Sequence, residues 1–353
     1  MSVPLHVKIR RGLKNRLDEM LKSLSVNATE DSISKDEVKS IFVIRINYRI
    51  GNMLFITPMI QELQSEFPNA KIDILLGASF TKTLFKGFKN VENVYDFPRK
   101  LLKNPIFLFK YIAKIRSKKY AVLINLNGGS TSDRLATLIA KSTYKVAFCN
   151  EDSFTPVNRC VKRADFEITH EALKPLELMK IFDIKPNYDR KLSIELSENE
   201  LYLAKEELDD LTKHSDKMVL GIFRNARFDK KIEDDWWRDL LKEFRQINSD
   251  IIFVDILSPD ILEVLDEDMI EYSQKDLRKL ASFMANLGAF ICADTGPMHL
   301  ASASGVPTIA LFKSTQPQLY GTLKKSDYSL VMGDRGVQEI AKDIYEHIQK
   351  IQR

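Results

Sequence analysis

SIFVIRINYRIGNMLFITPMIQELQSEFPNAKIDILLG, residues 40–77, decides the fold. Residues 40–46 are a near-continuous apolar run, residues 47–52 a turn around Gly51, residues 53–67 a stretch with helical spacing, and residues 71–77 a second apolar run. A strand apolar on both faces that feeds a helix and then a similar strand marks a parallel sheet covered on both sides. The alternation continues through YAVLINL (120–126) and a helix around Asp133–Lys141. A first α/β domain over residues 40–187 is expected.

Outward from there, HEALKPLELMKIFDI reads as helix up to Asp183, and Pro186 then breaks the pattern. A second unit, residues 188–335, opens with KMVLGIF (217–223). It continues as a helix from about Asp234 to Ile247, the strand DIIFVDIL, a helix from Gln274 to Asn286, the strand AFICA, a helix beginning near Gly296, and the strand PTIALF. The fold class is therefore α/β, two facing Rossmann-like domains with mainly parallel sheets and an interdomain cleft between strand carboxyl ends. Residues 336–353 read as a closing helix that packs back on the body.

Residues 1–39 stand apart. Leu5, Ile9, Leu13, Leu17, Met20 and Leu24 recur at helical spacing among Lys8, Arg10, Arg11, Lys14 and Arg16, then a polar linker follows. This basic amphipathic segment fits either a helix docked on the body or one lying on an anionic leaflet.

Composition removes several classes. The net charge of +4 is confined to residues 1–25, which carry six Lys/Arg against two acids. Such a distribution, without zinc-finger spacing or an aromatic RNA-binding signature, argues against nucleic acid as a partner. No apolar run is long enough for a membrane span or a signal peptide, so a cytoplasmic location is expected. Cys149, Cys160 and Cys292 have neither a disulfide framework nor zinc-ligand spacing and read as ordinary buried thiols. The acidic runs Glu233–Asp235 and Asp266–Asp268 fall at helix starts or loops, where they complement the dipole, so no metal and no cofactor is assigned.

The strongest chemical signal is AFICADTGPMHLASASGVPTIALF, residues 289–312. A buried strand ends at Asp294 and a helix starts within Thr295–Met298; Asp294 or Thr295 can cap it, Gly296 lets another backbone approach, and Pro297 suits the first turn. Uncapped amides at the positive end of a helix dipole hold a phosphate or diphosphate. A well-capped core helix is the alternative. The turn Arg45–Asn52 matches neither a dinucleotide fingerprint nor a Walker loop.

Residues 42–77 and 293–312, with NLNGGSTSDRLATLIA and HEALKPLELMKIFDI between them in the expected order, resemble the ADP-heptose:lipopolysaccharide heptosyltransferases, glycosyltransferase family nine. The resemblance spans about residues 40–330. It implies a GT-B enzyme that moves heptose from ADP-heptose to a lipopolysaccharide core acceptor with inversion and without a metal ion, at the inner face of the inner membrane. Carried over by motif, Asp294, Thr295, Gly296, Met298 and His299 would bind the donor; His299 fits a satisfied helix histidine as an alternative. Arg49, Gly51 and Asn52 would face the acceptor.

Two departures follow. The family's first glycine turn reads Gly-Asp, with the aspartate as base, whereas Gly51 is followed here by Asn52, and a carboxamide accepts no proton at neutral pH. Asp133 and Glu62 are the nearest substitutes, each also suited to a surface or helix-capping role. Second, RNARFDKKIEDDWW replaces the family's His-Pro-Gly-Ala-like turn. Arg224 or Asn225 would face the donor and Lys230 or Lys231 the phosphates, while Trp236 and Trp237 suit anchoring of the next helix. Arg99, Lys100, Lys103, Lys110, Lys114, Arg116, Lys118 and Lys119 lie in one acid-free stretch with Phe107, Phe109 and Tyr111, which suits a phosphorylated glycolipid, an anionic leaflet or a solvated helix face. Transfer from another nucleotide sugar, or a silent paralogue that binds a glycolipid precursor or partner transferase, remain the alternative functions.

Overall fold

The computed structural model describes Gly12 and residues 28–97, 105–126, 130–149, 156–163, 168–258, 260–261 and 263–351. The expected N-terminal amphipathic helix, Gly12 aside, lies outside these residues, as do Arg99, Lys100 and Lys103.

The N-terminal half contains β1 (Ser40–Arg45), α1 (Ile50–Leu54), α2 (Thr57–Glu66), β2 (Lys71–Leu76), β3 (Val91–Asp96), α3 (Pro105–Arg116), β4 (Lys119–Asn125), α4 (Thr131–Ile139), β5 (Lys141–Phe148) and β6 (Arg159–Val161). The C-terminal half contains α5 (Glu198–Leu211), β7 (Met218–Phe223), α6 (Asp234–Ile247), β8 (Ile251–Ile256), β9 (Ile270–Tyr272), α7 (Leu277–Met284), β10 (Ala289–Ala293), α8 (Gly296–Ser304), β11 (Thr308–Phe312), α9 (Pro317–Tyr320), β12 (Tyr328–Val331) and α10 (Val337–Ile351). The sheets run β3-β2-β1-β4-β5-β6 and β12-β11-β10-β7-β8-β9. Within them β1 pairs in parallel with β2 and β4, and β7 with β8 and β10. Each half thus has the doubly wound order 3-2-1-4-5-6, whose strand order reverses beside its first strand. Ligands of such sheets bind outside the carboxyl ends at that reversal. The reversal places the carboxyl ends of β1 and β4 side by side in one half, and those of β7 and β10 in the other.

The central strands are sealed, with Ile41–Ile44, Leu220, Ile222 and Ala289–Ala293 buried. α10 lays Ile340, Ile344 and Ile348 against the Leu240, Leu241 and Phe244 face of α6.

Where the sequence suggests one helix over residues 53–67, the chain forms α1 and α2 with a break at Phe55–Ile56. Pro58 has no N–H to give to the Leu54 carbonyl. The Thr57 hydroxyl donates to that carbonyl instead, at 2.8 Å. The helical stretch ending at Asp183 is a 3-10 segment, Lys174–Phe182, closed by Asp183 at φ 55°.

The expectation of three free thiols is overturned. Cys149 and Cys160 form a disulfide, Cα–Cα 5.1 Å, and only Cys292 is free. Parallel pairing of β5 with β6 sets the two side by side, a register that their 11-residue separation does not announce.

The segment between the halves is stitched to both. Gln61 Nε2 donates to the Lys191 carbonyl and Ser193 hydroxyl, Ser193 N–H donates to the Thr57 hydroxyl, and Ile194 N–H donates to the Ala303 carbonyl in α8. Arg278 of α7 reaches across to the Lys86 carbonyl while also holding Glu200.

Candidate functional site

The site is built where α1 meets α8. A Cβ on Gly51 would stand 2.6 Å from His299 Cδ2, and one on Gly296 would stand 3.3 Å from Ile50 Cβ. At Gly51 the close imidazole leaves no room for a Cβ, whereas at Gly296 a Cβ would be tight against the Ile50 side chain.

On the C-terminal side, Asp294 ends the chain's run into α8 and is buried. Its Oδ2 accepts from Lys230 Nζ at 2.5 Å and from the Thr315 hydroxyl. Thr295 is the N-cap by position but its side chain caps nothing, and its buried Oγ1 has no partner among the described residues. The first amides of α8 are left without a side-chain cap, beside a lysine held in place by a carboxylate. An uncapped helix start with an adjacent cation is suited to an anion.

Sequence left Lys230 and Lys231 undivided; the structure separates them. Lys231 is exposed and faces Glu233 at 3.4 Å. Arg224 is committed elsewhere: Nε donates to Asp255 at 3.1 Å, Nη1 to Asp234 at 2.9 Å, and Nη2 to the Glu263 carbonyl. Each nitrogen of this guanidinium is engaged in tying the loop after β7 to β8, α6 and the Glu263 carbonyl. Asn225 bonds the Ser258 hydroxyl at 2.5 Å. The Met298 side chain is wholly in the core, leaving only its backbone to face the turn.

His299 is buried, with its ring edge-on to Phe55 at 4.7 Å. Burial pushes its pKa down to about 3, against the raising effect of Asp294. The ring is neutral at pH 7, and its Nδ1 has no partner among the described residues, so it is not the hydrogen-bonded helix histidine of the alternative reading. It acts as a flat spacer beneath Gly51. Nearby His170 accepts from Ala172 N–H at 3.2 Å and pairs its other nitrogen with the Gly321 carbonyl at 3.0 Å; burial lowers its pKa as well.

On the N-terminal side, Asn47 Oδ1 accepts the Arg49 N–H at 2.9 Å and shapes the turn into α1. Arg49 is exposed and Asn52 half-buried, and the Asn52 side chain makes no hydrogen bond among the described residues. Neither proposed carboxylate substitute is on the surface. Glu62 is buried and accepts from Arg190 Nε at 2.7 Å. Asp133 is fully buried; its Oδ1 accepts the Ile46 N–H at 2.6 Å and its Oδ2 the Ser130 hydroxyl at 2.5 Å. Asp133 thus holds the β1–α1 turn from below. Both acids carry structure, which sets them apart from a base waiting for a substrate proton.

Sequence reasoning missed Thr315, Arg45 and His170. Thr315 follows β11 at a strand carboxyl end and Arg45 closes β1, so position in the doubly wound order was the available signal. Among the described residues no group of three or more His, Cys, Asp or Glu is placed to hold a metal ion. Trp237 is buried in the second core and Trp236 packs on it edge-on, which anchors α6.

The acid-free basic stretch acquires acids in space. Lys118 pairs with buried Asp73 at 2.9 Å, a bond that raises the lysine's pKa, and Lys114 sits over the Tyr95 ring. What faces outward on α3 is Ile106, Phe107 and Phe109, at 69%, 60% and 73% exposure, with Lys110. At its foot a cavity of about 360 Å³ is lined by Arg116, Lys119, Lys141 and Lys145 and no acid.

Comparison with known proteins places this geometry. A family model described as "Glycosyltransferase family 9 (heptosyltransferase)" matches residues 108–344. Lipooligosaccharide heptosyltransferase 2 of Campylobacter jejuni is 23% identical over 281 residues, 76% of this chain and 79% of that protein. Among solved structures, a glycosyl transferase family 9 protein of Veillonella parvula superposes with TM-score 0.73 at 19% identity, covering 91% of this chain and 92% of that one. The E. coli heptosyltransferase WaaC with ADP superposes with TM-score 0.70 at 18% identity, covering 87% and 99%.

Proposed function

The chain belongs to glycosyltransferase family 9, the heptosyltransferase family, and is a glycosyltransferase; from that premise we propose that it moves heptose from ADP-heptose onto a lipopolysaccharide or lipooligosaccharide core acceptor, inverting the anomeric centre without a metal ion. The single observation that carries this reading is Lys230 held at 2.5 Å by buried Asp294 beside the uncapped start of α8.

In a transfer of this kind the bond from the anomeric carbon to the diphosphate breaks and negative charge grows on the leaving phosphate. Lys230, the Thr295 hydroxyl and the amides of Gly296 and Met298 meet that charge. Fixed donors aimed at developing charge need no reorganisation during the step. Asp294 keeps the ammonium in place. Gly51 brings Asn52 and Arg49 up to the same point from the other half, where the Asn52 carboxamide orients the acceptor hydroxyl. Because it takes no proton, deprotonation falls to another group.

The exposed apolar and basic residues of α3 and the basic cavity at its foot supply peripheral contact with an anionic leaflet at the inner face of the inner membrane. Among the described residues no helix is long and apolar enough to cross a membrane.

Titration calorimetry with ADP, then turnover with a panel of ADP-, UDP- and GDP-sugars and anomer assignment by NMR, tests this. ADP binding lost in Lys230→Ala, with product from an ADP-sugar, is expected; a wild-type protein that binds none of these nucleotides overturns it. Asn52 itself favours a second reading, a silent paralogue that binds a glycolipid precursor. Wild-type turnover removes that reading, whereas turnover only in Asn52→Asp establishes it.

A further inference from the structure

We infer that Arg45 anchors an anionic group, a carboxylate or a phosphate ester, on the acceptor sugar; the assignment rests on the transferase reading above.

Arg45 closes β1, next to the end of β4, at the reversal of strand order where a doubly wound sheet takes its ligand. Its Nε is sealed from solvent and has no partner, and its guanidinium makes no hydrogen bond or ion pair among the described residues. Two buried guanidiniums, those of Arg224 and Arg278, behave differently. Arg224 spends its donors on Asp255, Asp234 and the Glu263 carbonyl, and Arg278 on Glu200 and the carbonyls of Lys86 and Glu195.

Two acids are close enough to act on Arg45 through space, yet each is committed. Asp133 gives one oxygen to the Ile46 amide and the other to Ser130, and the Glu171 carboxylate holds Lys174. Burial consequently outweighs their attraction and lowers the Arg45 pKa. A half-buried cation whose Nε is sealed from solvent without a hydrogen-bonded counter-ion is costly unless a ligand completes it. The flat fork of a guanidinium matches the paired oxygens of a carboxylate or phosphate. The donor diphosphate already has Lys230 and the start of α8 in the opposite half, which leaves Arg45 to the acceptor.

The test is thermal unfolding of the full chain in sodium glucuronate, glucose 6-phosphate, glucose, and sodium chloride at matched ionic strength. The two sugar arms with charge separate carboxylate from phosphate. A rise in Tm with at least one charged sugar, absent with glucose and salt and lost in Arg45→Met and Arg45→Gln, is the expected result. ADP affinity, measured by calorimetry on the same variants, should stay within about twofold of wild type, against a loss on the order of tenfold for a charge-assisted phosphate contact. Absence of a charge-specific shift in the wild type, persistence of the shift in both variants, or loss of ADP affinity comparable to Lys230→Ala would each overturn the inference. ADP binding by the wild type is read separately, so failure of the acceptor assignment is not confused with failure of the transferase reading.

Discussion

The two glycine turns that meet at the cleft are alike in construction and opposite in electrostatic state. After β10 the helix start is paired with a positioned cation, Lys230 on Asp294, and with an uncommitted hydroxyl, Thr295. After β1 the equivalent turn is braced from beneath by Asp133 and carries a carboxamide, Asn52, at the position that follows its glycine. One turn spends its carboxylate on a partly exposed lysine; the other spends its carboxylate on backbone support. A shared architecture thus leaves the chemistry of each half to a few side chains.

The largest expected effect comes from removing the charge that distinguishes the C-terminal turn. Lys230→Ala should lower turnover by about 10²–10³, the scale of losing one positioned donor, whereas Lys231→Ala should change it little. Steady-state kinetics on the two variants reads the contrast, and equal losses would remove the distinction between the lysines.

Next in size is steric. Gly51→Ala puts a methyl 2.6 Å from His299 Cδ2, so unfolding should be eased by about 1–3 kcal/mol. Gly296→Ala, at 3.3 Å from Ile50, should cost less. Combining Gly51→Ala with His299→Ala should recover part of the loss, a coupling visible in a double-mutant cycle.

Asp133→Asn weakens the bond to the Ile46 amide and should cost about 1.5–3 kcal/mol by denaturant unfolding, with ADP affinity unchanged. A fall in ADP affinity of the same size would show that the brace serves both turns.

Acid sensitivity is smaller. The folded-state pKa of His299 is about 3, below the ordinary histidine value of about 6.5, so the unfolded chain binds its proton first. The stability from the neutral ring is complete above pH ~6.5 and declines as pH falls from there toward 3. Tm against pH should be flatter over that window in His299→Gln. The smallest effect on turnover belongs to the far edge of the N-terminal sheet: Cys149→Ser with Cys160→Ser should lower stability by about 2–4 kcal/mol and leave kcat unchanged.

Legibility in the sequence followed burial. The double-sided apolar runs of β1, β2, β8, β10 and β11 announced the parallel sheets, and α6 came out at the residues its spacing indicated. The edge strands β3, β6, β9 and β12 did not, because short, partly exposed strands such as VENVYD lack that continuous apolar pattern. Asp294, Thr295 and Gly296 stood out because strand end, cap and helix start are consecutive. The commitments of Arg224 were not legible because its partners lie 10, 31 and 39 residues away. Thr315 and Arg45 were silent for the converse reason: their significance arises from strand order, which no local pattern states.

The stitched connection between the halves has a mechanical consequence. Through Ser193 its hydrogen bonds go to α2, and from Ile194 onward to the Ala303 carbonyl of α8, so allegiance changes across one peptide. A rigid-body rotation that parts Gly51 from His299 would therefore pivot near residues 193–194. With the pivot so close to α8, a modest swing there would be felt first where α8 meets Gly51.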